Sequence, residues 1–124
     1  MSLIDRILPG RLDRRKLGAA GEARAAAFLA AQGLRLLGRN YRVRGGEIDL
    51  ICQDGDTLAF VEVRLRNGSG FGGAAASITR GKQQRLIVAA RHWLAQHGER
   101  PCRFDCVLID GERLEWLSDA FVAD

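Results

Sequence analysis

Two acids stand where a sheet interior would want aliphatic side chains. The run Gly45 to Arg66 reads as two apolar, β-rich segments around an Asp54-Gly55-Asp56 turn, a hairpin signal. Asp49 lies in the first segment and Glu62 in the second. Side chains alternate along a strand, so Asp49 shares a face with Ile51, and Glu62 shares one with Phe60 and Arg64. If Gly55-Asp56 form a two-residue turn, residue 54 opposes 57 and Asp49 falls opposite Glu62; a looser turn would break that register. Paired carboxylates on an apolar face repel each other and lose hydration. A divalent cation between them is the simplest remedy. Such a cation, with a nearby positive side chain, polarises a phosphate, activates water and stabilises developing negative charge.

Three further residues belong to the same set. Glu22 sits among Gly18, Ala19, Ala25 and Ala26, the small-residue stripe by which a helix approaches a sheet, so it either lies at the stripe's edge and reaches water or is aimed at a site, and the hairpin acids favour the site. Arg64 follows Glu62 by two residues, and Lys82 opens a later helix.

The elements that must position these groups follow in order. Residues 1–12 read as a flexible basic arm carrying Arg6 and Arg11. Leu17 to Gln32 reads as a helix stopped by Gly33, with Asp13 as a candidate cap. Strands are expected over Leu34–Val43 and on either side of the Asp-Gly-Asp turn. A glycine-rich loop follows from Arg66 to Ser77 without the Gly-Lys-Ser/Thr closure of a phosphate-binding P-loop. Thr79 to Gln96 is a second helix, capped by Thr79 or Ser77, ended by Gly98, with Ile87, Ala90 and Leu94 inward. Cys102–Ile109 and Arg113–Leu117 are the last strands. Helix, three strands, helix, two strands predicts an α/β fold with a mixed sheet flanked by helices.

The chain has 124 residues, enough for one domain with its own core, taken as residues 13–124. No apolar run would span a membrane and no secretory signal is legible, so a cytoplasmic protein is expected. Cys52, Cys102 and Cys106 form no Cys-x-x-Cys pair and read as buried reduced thiols. The formal net charge is +4, almost all of it arginine, since Lys16 and Lys82 are the lysines. Arginine forks onto phosphate and stacks on bases, so a polyanion is an expected partner; an arginine-rich proteome is the bland explanation.

These residues also carry a resemblance. Gly21-Glu22-x-x-Ala25, Asn40-Tyr41-Arg42, Gly46-Glu47-Ile48-Asp49-Leu50-Ile51, Phe60-Val61-Glu62-Val63-Arg64 with Arg66, Phe71-Gly72, Lys82, Arg85-Leu86, Ala90 and Arg103-Phe104-Asp105 resemble the UPF0102 (YraN-like) family. That family is similar to the restriction-endonuclease-like PD-(D/E)xK nucleases and to archaeal Holliday-junction resolvases. The resemblance implies the three-layer restriction-endonuclease-like fold, with Asp49 and Glu62 as the nuclease acids and Glu22 as the helix-borne acid. It implies Mg2+ or Mn2+ on those three, and a nucleic-acid partner, DNA first, of branched or structured form. Resolvases act as dimers, so it extends to a homodimer. Arg42, Arg44, Arg66, Arg80 and Arg85 are the expected backbone contacts.

The pattern is broken at position 64, where lysine is usual and this chain has arginine. Arginine stays protonated and cannot act as a general base, though it can clamp a phosphate. Lys82 is the candidate substitute. Three alternatives stand beside the endonuclease: a non-catalytic nucleic-acid-binding module on a degenerate nuclease scaffold, a protein-interaction adaptor, and a structural role in which Asp49 and Glu62 each pair with an arginine.

Overall fold

The structure, a computed structural model, describes residues 9–66 and 78–123, with side chains from residue 18 onward. Helix α1 (Pro9–Ala31) is followed by strands β1 (Arg35–Val43), β2 (Gly46–Asp54) and β3 (Thr57–Arg66). Helix α2 (Arg80–His97) then leads to β4 (Cys102–Asp110) and β5 (Arg113–Phe121). The five strands form one sheet in the order β1-β2-β3-β4-β5. The β3–β4 pair is parallel and the other pairs are antiparallel, so α2 is the crossover that a parallel pair requires. This is a mixed sheet flanked by helices.

Each face of the sheet is closed by one helix. Leu86, Ile87, Ala90, Trp93 and Leu94 of α2 pack on Ile48, Ile51, Leu58, Phe60 and Phe104. Ala25, Ala26 and Leu29 of α1 pack on Leu50, Cys52, Ala59, Val61, Val107 and Ile109. Phe60 and Phe104 are buried together at a ring separation of 5.9 Å, which fixes β3 beside β4 beneath α2. Among the described residues no helix is long and apolar enough to cross a membrane.

The termini of the helices follow their sequences. Leu34 donates to the Leu29 carbonyl and Gly33, at φ 98°, donates to that of Ala30, the glycine-dependent C-terminal motif. Thr79 caps α2 by accepting from the Lys82 amide. Three expectations differ. The first helix begins at Pro9, not Leu17, so Asp13 lies inside it and is not its cap. Proline suits a first helical position, and the arginines, leucines and lysine that follow are good helix formers, so the chain has no reason to break there. The fifth strand runs four residues past Leu117, to Phe121. Cys52 and Cys106 are buried thiols, whereas Cys102 is exposed, because it starts β4 beyond the cover of the helices. The remainder of the expected basic arm (residues 1–8) and the glycine-rich stretch 67–77 lie outside the described residues.

Candidate functional site

The hairpin turn sets the site. Gly55 takes φ 59° and Asp54 pairs with Thr57, the two-residue turn, and the register continues without slip to Leu50 opposite Val61. One step further along this register brings Asp49 to Glu62. There the sheet forks. β2 stays with β1 as far as Gly46 opposite Val43. β3 stays with β4 as far as Arg66 opposite Asp110, while its ladder with β2 stops at Val61.

The fork is marked by local irregularity. Ile48 packs beneath α2 but Leu50 packs beneath α1, so simple alternation is lost across Asp49. In the β1–β2 register Asn40 faces Asp49, and Asn40 has φ 52°, a left-handed conformation that asparagine tolerates better than most residues. The break in the ladder would orphan the Val63 amide. Asp49 Oδ2 accepts from it at 2.8 Å, so a side chain takes over where backbone pairing ends.

Burial pushes the Asp49 carboxyl up to about 7, with the Glu62 charge adding to it and the Val63 amide opposing it. Glu62 is also raised, by burial first, with the Asp49 hydrogen bond and the Arg64 charge opposing. Burial thus holds both carboxyls above the ordinary range. Two carboxyls in contact cannot both ionise freely without a counter-charge.

Cations gather on the Glu62 side. Arg64 Nη1 is 4.0 Å from Glu62 Oε2, and its Nε is buried without a hydrogen-bond partner. Glu62, Lys82, Arg85, Glu47 and Leu86 line a pocket of about 220 Å3. The pocket exists because α2 sits very close to β2. A Cβ at Gly46 would fall 2.5 Å from the Arg85 carbonyl and 2.8 Å from the Ala89 amide nitrogen. Only a glycine admits the helix at that distance.

Glu22 reaches the fork from the other face. It is half-buried on α1, and its carboxyl is raised by burial and then by the Asp49 charge, with Asn40, as a hydrogen-bond donor, opposing. It adjoins Asp49 without closing a cage: among the described residues no group of three acid, histidine or cysteine side chains stands ready to hold a metal. The donors at the fork are all hard oxygens, which suit Mg2+ or Mn2+ far better than soft metals.

The structure thus brings Asp49, Glu62, Arg64, Lys82 and Arg85 to one place, with Glu22 behind Asp49. Arg42 is joined through Glu47, at 3.7 Å. Arg44 and Arg80 are exposed, on the turn after β1 and at the start of α2. Arg66 lies elsewhere, in a second pocket of about 250 Å3 lined by Gly21, Arg24, Leu65 and Gly111.

Two acids outside the expected set also hold partners, one at the site and one away from it. Glu47 bridges Arg42 and Arg85 beside Glu62; its place two residues before Asp49 was the available signal. Asp105 is fully buried and accepts from Arg103 Nε, Trp116 Nε1 and the Asp119 amide. Asp119 has φ 57°, and the β4–β5 register slips between Phe104 and Cys106, so this carboxylate holds an irregular stretch of β5 to β4. Arg103 continues the chain of contacts to Asp54 at 2.9 Å. Asp105 is a structural anchor, distinct from the fork.

Fold and site define an α/β domain whose forked sheet carries a half-buried acid pair faced by cations. The chain belongs to the UPF0102 family: the model of this uncharacterised protein family matches residues 21–109. It is 60% identical over 107 residues to a UPF0102 protein of Dechloromonas aromatica (strain RCB), covering 86% of this chain and 89% of that one. It is 59% identical over 108 residues to one of Nitrosomonas europaea, covering 84% and 92%. A third, from Enterobacter sp. (strain 638), is 48% identical over 120 residues, 94% of this chain and 92% of its own. These names state a family and no reaction.

Proposed function

We infer that the protein binds nucleic acid and cleaves phosphodiester bonds at the strand fork with the help of Mg2+ or Mn2+. The observation that supports this best is the Asp49–Glu62 pair, two half-buried carboxyls both raised by burial, with arginine and lysine beside Glu62. Asp49 and Glu62 would hold the cation, with Glu22 available behind Asp49. When bound, such a cation polarises the phosphate and lowers the pKa of water.

The chain's own residues do the rest. The Val63 amide fixes the Asp49 carboxylate in place. Arg64, already next to Glu62, stabilises charge that builds on the phosphate oxygens but cannot remove a proton. Lys82 and Arg85 grip an adjacent phosphate from the α2 side. Resemblance to the junction resolvases supports branched or structured DNA as substrate and a homodimer as the acting form.

The test is cleavage of labelled branched, duplex and single-stranded DNA with Mg2+ or Mn2+. Wild type should cleave in a cation-dependent way and Glu62→Gln should lose about 100-fold or more. Absence of cleavage on every substrate overturns the catalytic part. A second reading, a nucleic-acid-binding module without catalysis, is favoured by arginine at position 64. It predicts salt-sensitive binding that survives Glu62→Gln.

A further inference from the structure

Glu47 occupies an unusual position for an acid. Its Oε1 accepts from Arg85 Nη2 at 3.2 Å, and its Oε2 lies 3.7 Å from Arg42 Nε. Arg42 reaches it from the directly opposite residue on β1, and Arg85 from α2. One carboxylate is thus held between two guanidinium groups, one per oxygen, at the rim of the pocket that Glu62 and Lys82 line. Two guanidinium forks converging from different elements make a receptor for a tetrahedral or planar oxyanion.

The helix adds to this. The first turn of α2 carries no acid, and Arg80, Lys82 and Arg85 follow one another from its start. A helix N-terminus ordinarily favours negative charge, so this clustering of cations leaves that end in want of an anion. Glu47 of β2 meets this cluster at Arg85. Its grip is loose: the Glu47 side chain is 41% exposed, that of Arg85 57% and that of Arg42 74%. Ion pairs so exposed are easily exchanged.

We propose that Arg42, Lys82 and Arg85 form a phosphate subsite of the nucleic-acid backbone, and that Glu47 is its resident stand-in, displaced when a phosphodiester arrives. This rests on the nucleic-acid reading of the fork. In the free protein Glu47 keeps the cations gathered and lowers the positive field at the pocket. An incoming backbone phosphate takes over the Arg42 and Arg85 contacts and turns the Glu47 carboxylate out. Glu47 therefore competes with substrate. A residue that merely aimed the arginines would help substrate, so the two roles predict opposite signs.

The experiment is fluorescence anisotropy with a labelled oligonucleotide over a salt series, on full-length wild type, Glu47→Gln, Arg85→Ala and the double variant. Folding of each is checked by circular dichroism and thermal melting. Glu47→Gln should bind about fivefold tighter or better. Arg85→Ala should bind more weakly, with a salt slope smaller by about one. The double variant should bind slightly tighter than Arg85→Ala, by less than the wild-type gain, since Arg42 alone then remains for Glu47 to occupy. Equal or weaker binding by a folded Glu47→Gln, with wild type binding, overturns the stand-in role alone. No binding by wild type or Glu47→Gln overturns the nucleic-acid reading and this inference together.

Discussion

Asp49 Oδ2 accepts a 2.8 Å hydrogen bond from the Val63 amide across the point where β2 and β3 part. One side chain thus closes the sheet and presents its carboxyl to Glu62. The two tasks respond differently to substitution. Asp49→Asn keeps an oxygen for the amide and removes the repulsion with Glu62. Asp49→Ala leaves a half-buried amide unpaired. At pH 8 without metal, Asp49→Asn should be more stable than wild type by about 1–3 kcal/mol, and Asp49→Ala less stable than Asp49→Asn by about 1–3 kcal/mol. Urea denaturation measures both; an Asp49→Asn protein less stable than wild type would refute the repulsion.

The same pair sets a pH dependence. The Asp49 carboxyl is raised from 3.8 to about 7, so between these values the folded state holds a proton that the unfolded chain has lost. Stability must then fall as pH climbs through this window, the reverse of an ordinary salt-bridged aspartate. The group's share is on the order of 2–4 kcal/mol between pH 4 and 8, and Asp49→Asn should flatten it. Melting temperatures of both proteins across that range test the sign.

Much of this geometry is legible in the sequence because it depends on local chemistry. Asp54-Gly55-Asp56 dictates a tight turn, the turn dictates register, and the register sends Asp49 toward Glu62. Thr79 and Gly98 bound the second helix for equally local reasons. What escapes notice depends on partners distant in the chain. Glu47 gains its two guanidinium partners only when α2 brings Arg85 onto it beside Arg42. Asp105 reads as a strand acid until β5 folds over with Trp116 and the Asp119 amide. That same anchor carries β5 past Leu117, where no sequence pattern announces the extension. The early start of α1 is a propensity effect: the charged residues after Pro9 are helix formers and do not mark a loose arm.

Gly46 should tolerate nothing larger. In Gly46→Ala the new methyl meets the Arg85 carbonyl and the Ala89 amide, backbone atoms that cannot swing aside. The helix must lift, at a cost of about 1–3 kcal/mol. Lys82 and Arg85 would move from Glu62 with it. Thermal melting together with oligonucleotide affinity should report both losses; an unchanged protein would contradict the close approach.

Asp105→Ala tests the anchor. It strips a buried carboxylate from Arg103, whose Nη2 is already buried without a partner. Removing one side of a buried ion pair costs about 3–5 kcal/mol. Fluorescence of Trp116 during denaturation would follow it, and a loss below about 1 kcal/mol would show that the network contributes little.

On the proposed function, a divalent cation would sit at the fork on Asp49 and Glu62. Calorimetric titration of Mn2+ into wild type, Asp49→Asn and Glu62→Gln, at pH 6 and pH 8, tests it most directly. Wild type should bind more tightly as pH rises, because Asp49 must release its proton, and both variants should lose binding. Wild type that takes up no Mn2+ at pH 8, or variants that bind it as well as wild type, would show that the fork is not a cation site.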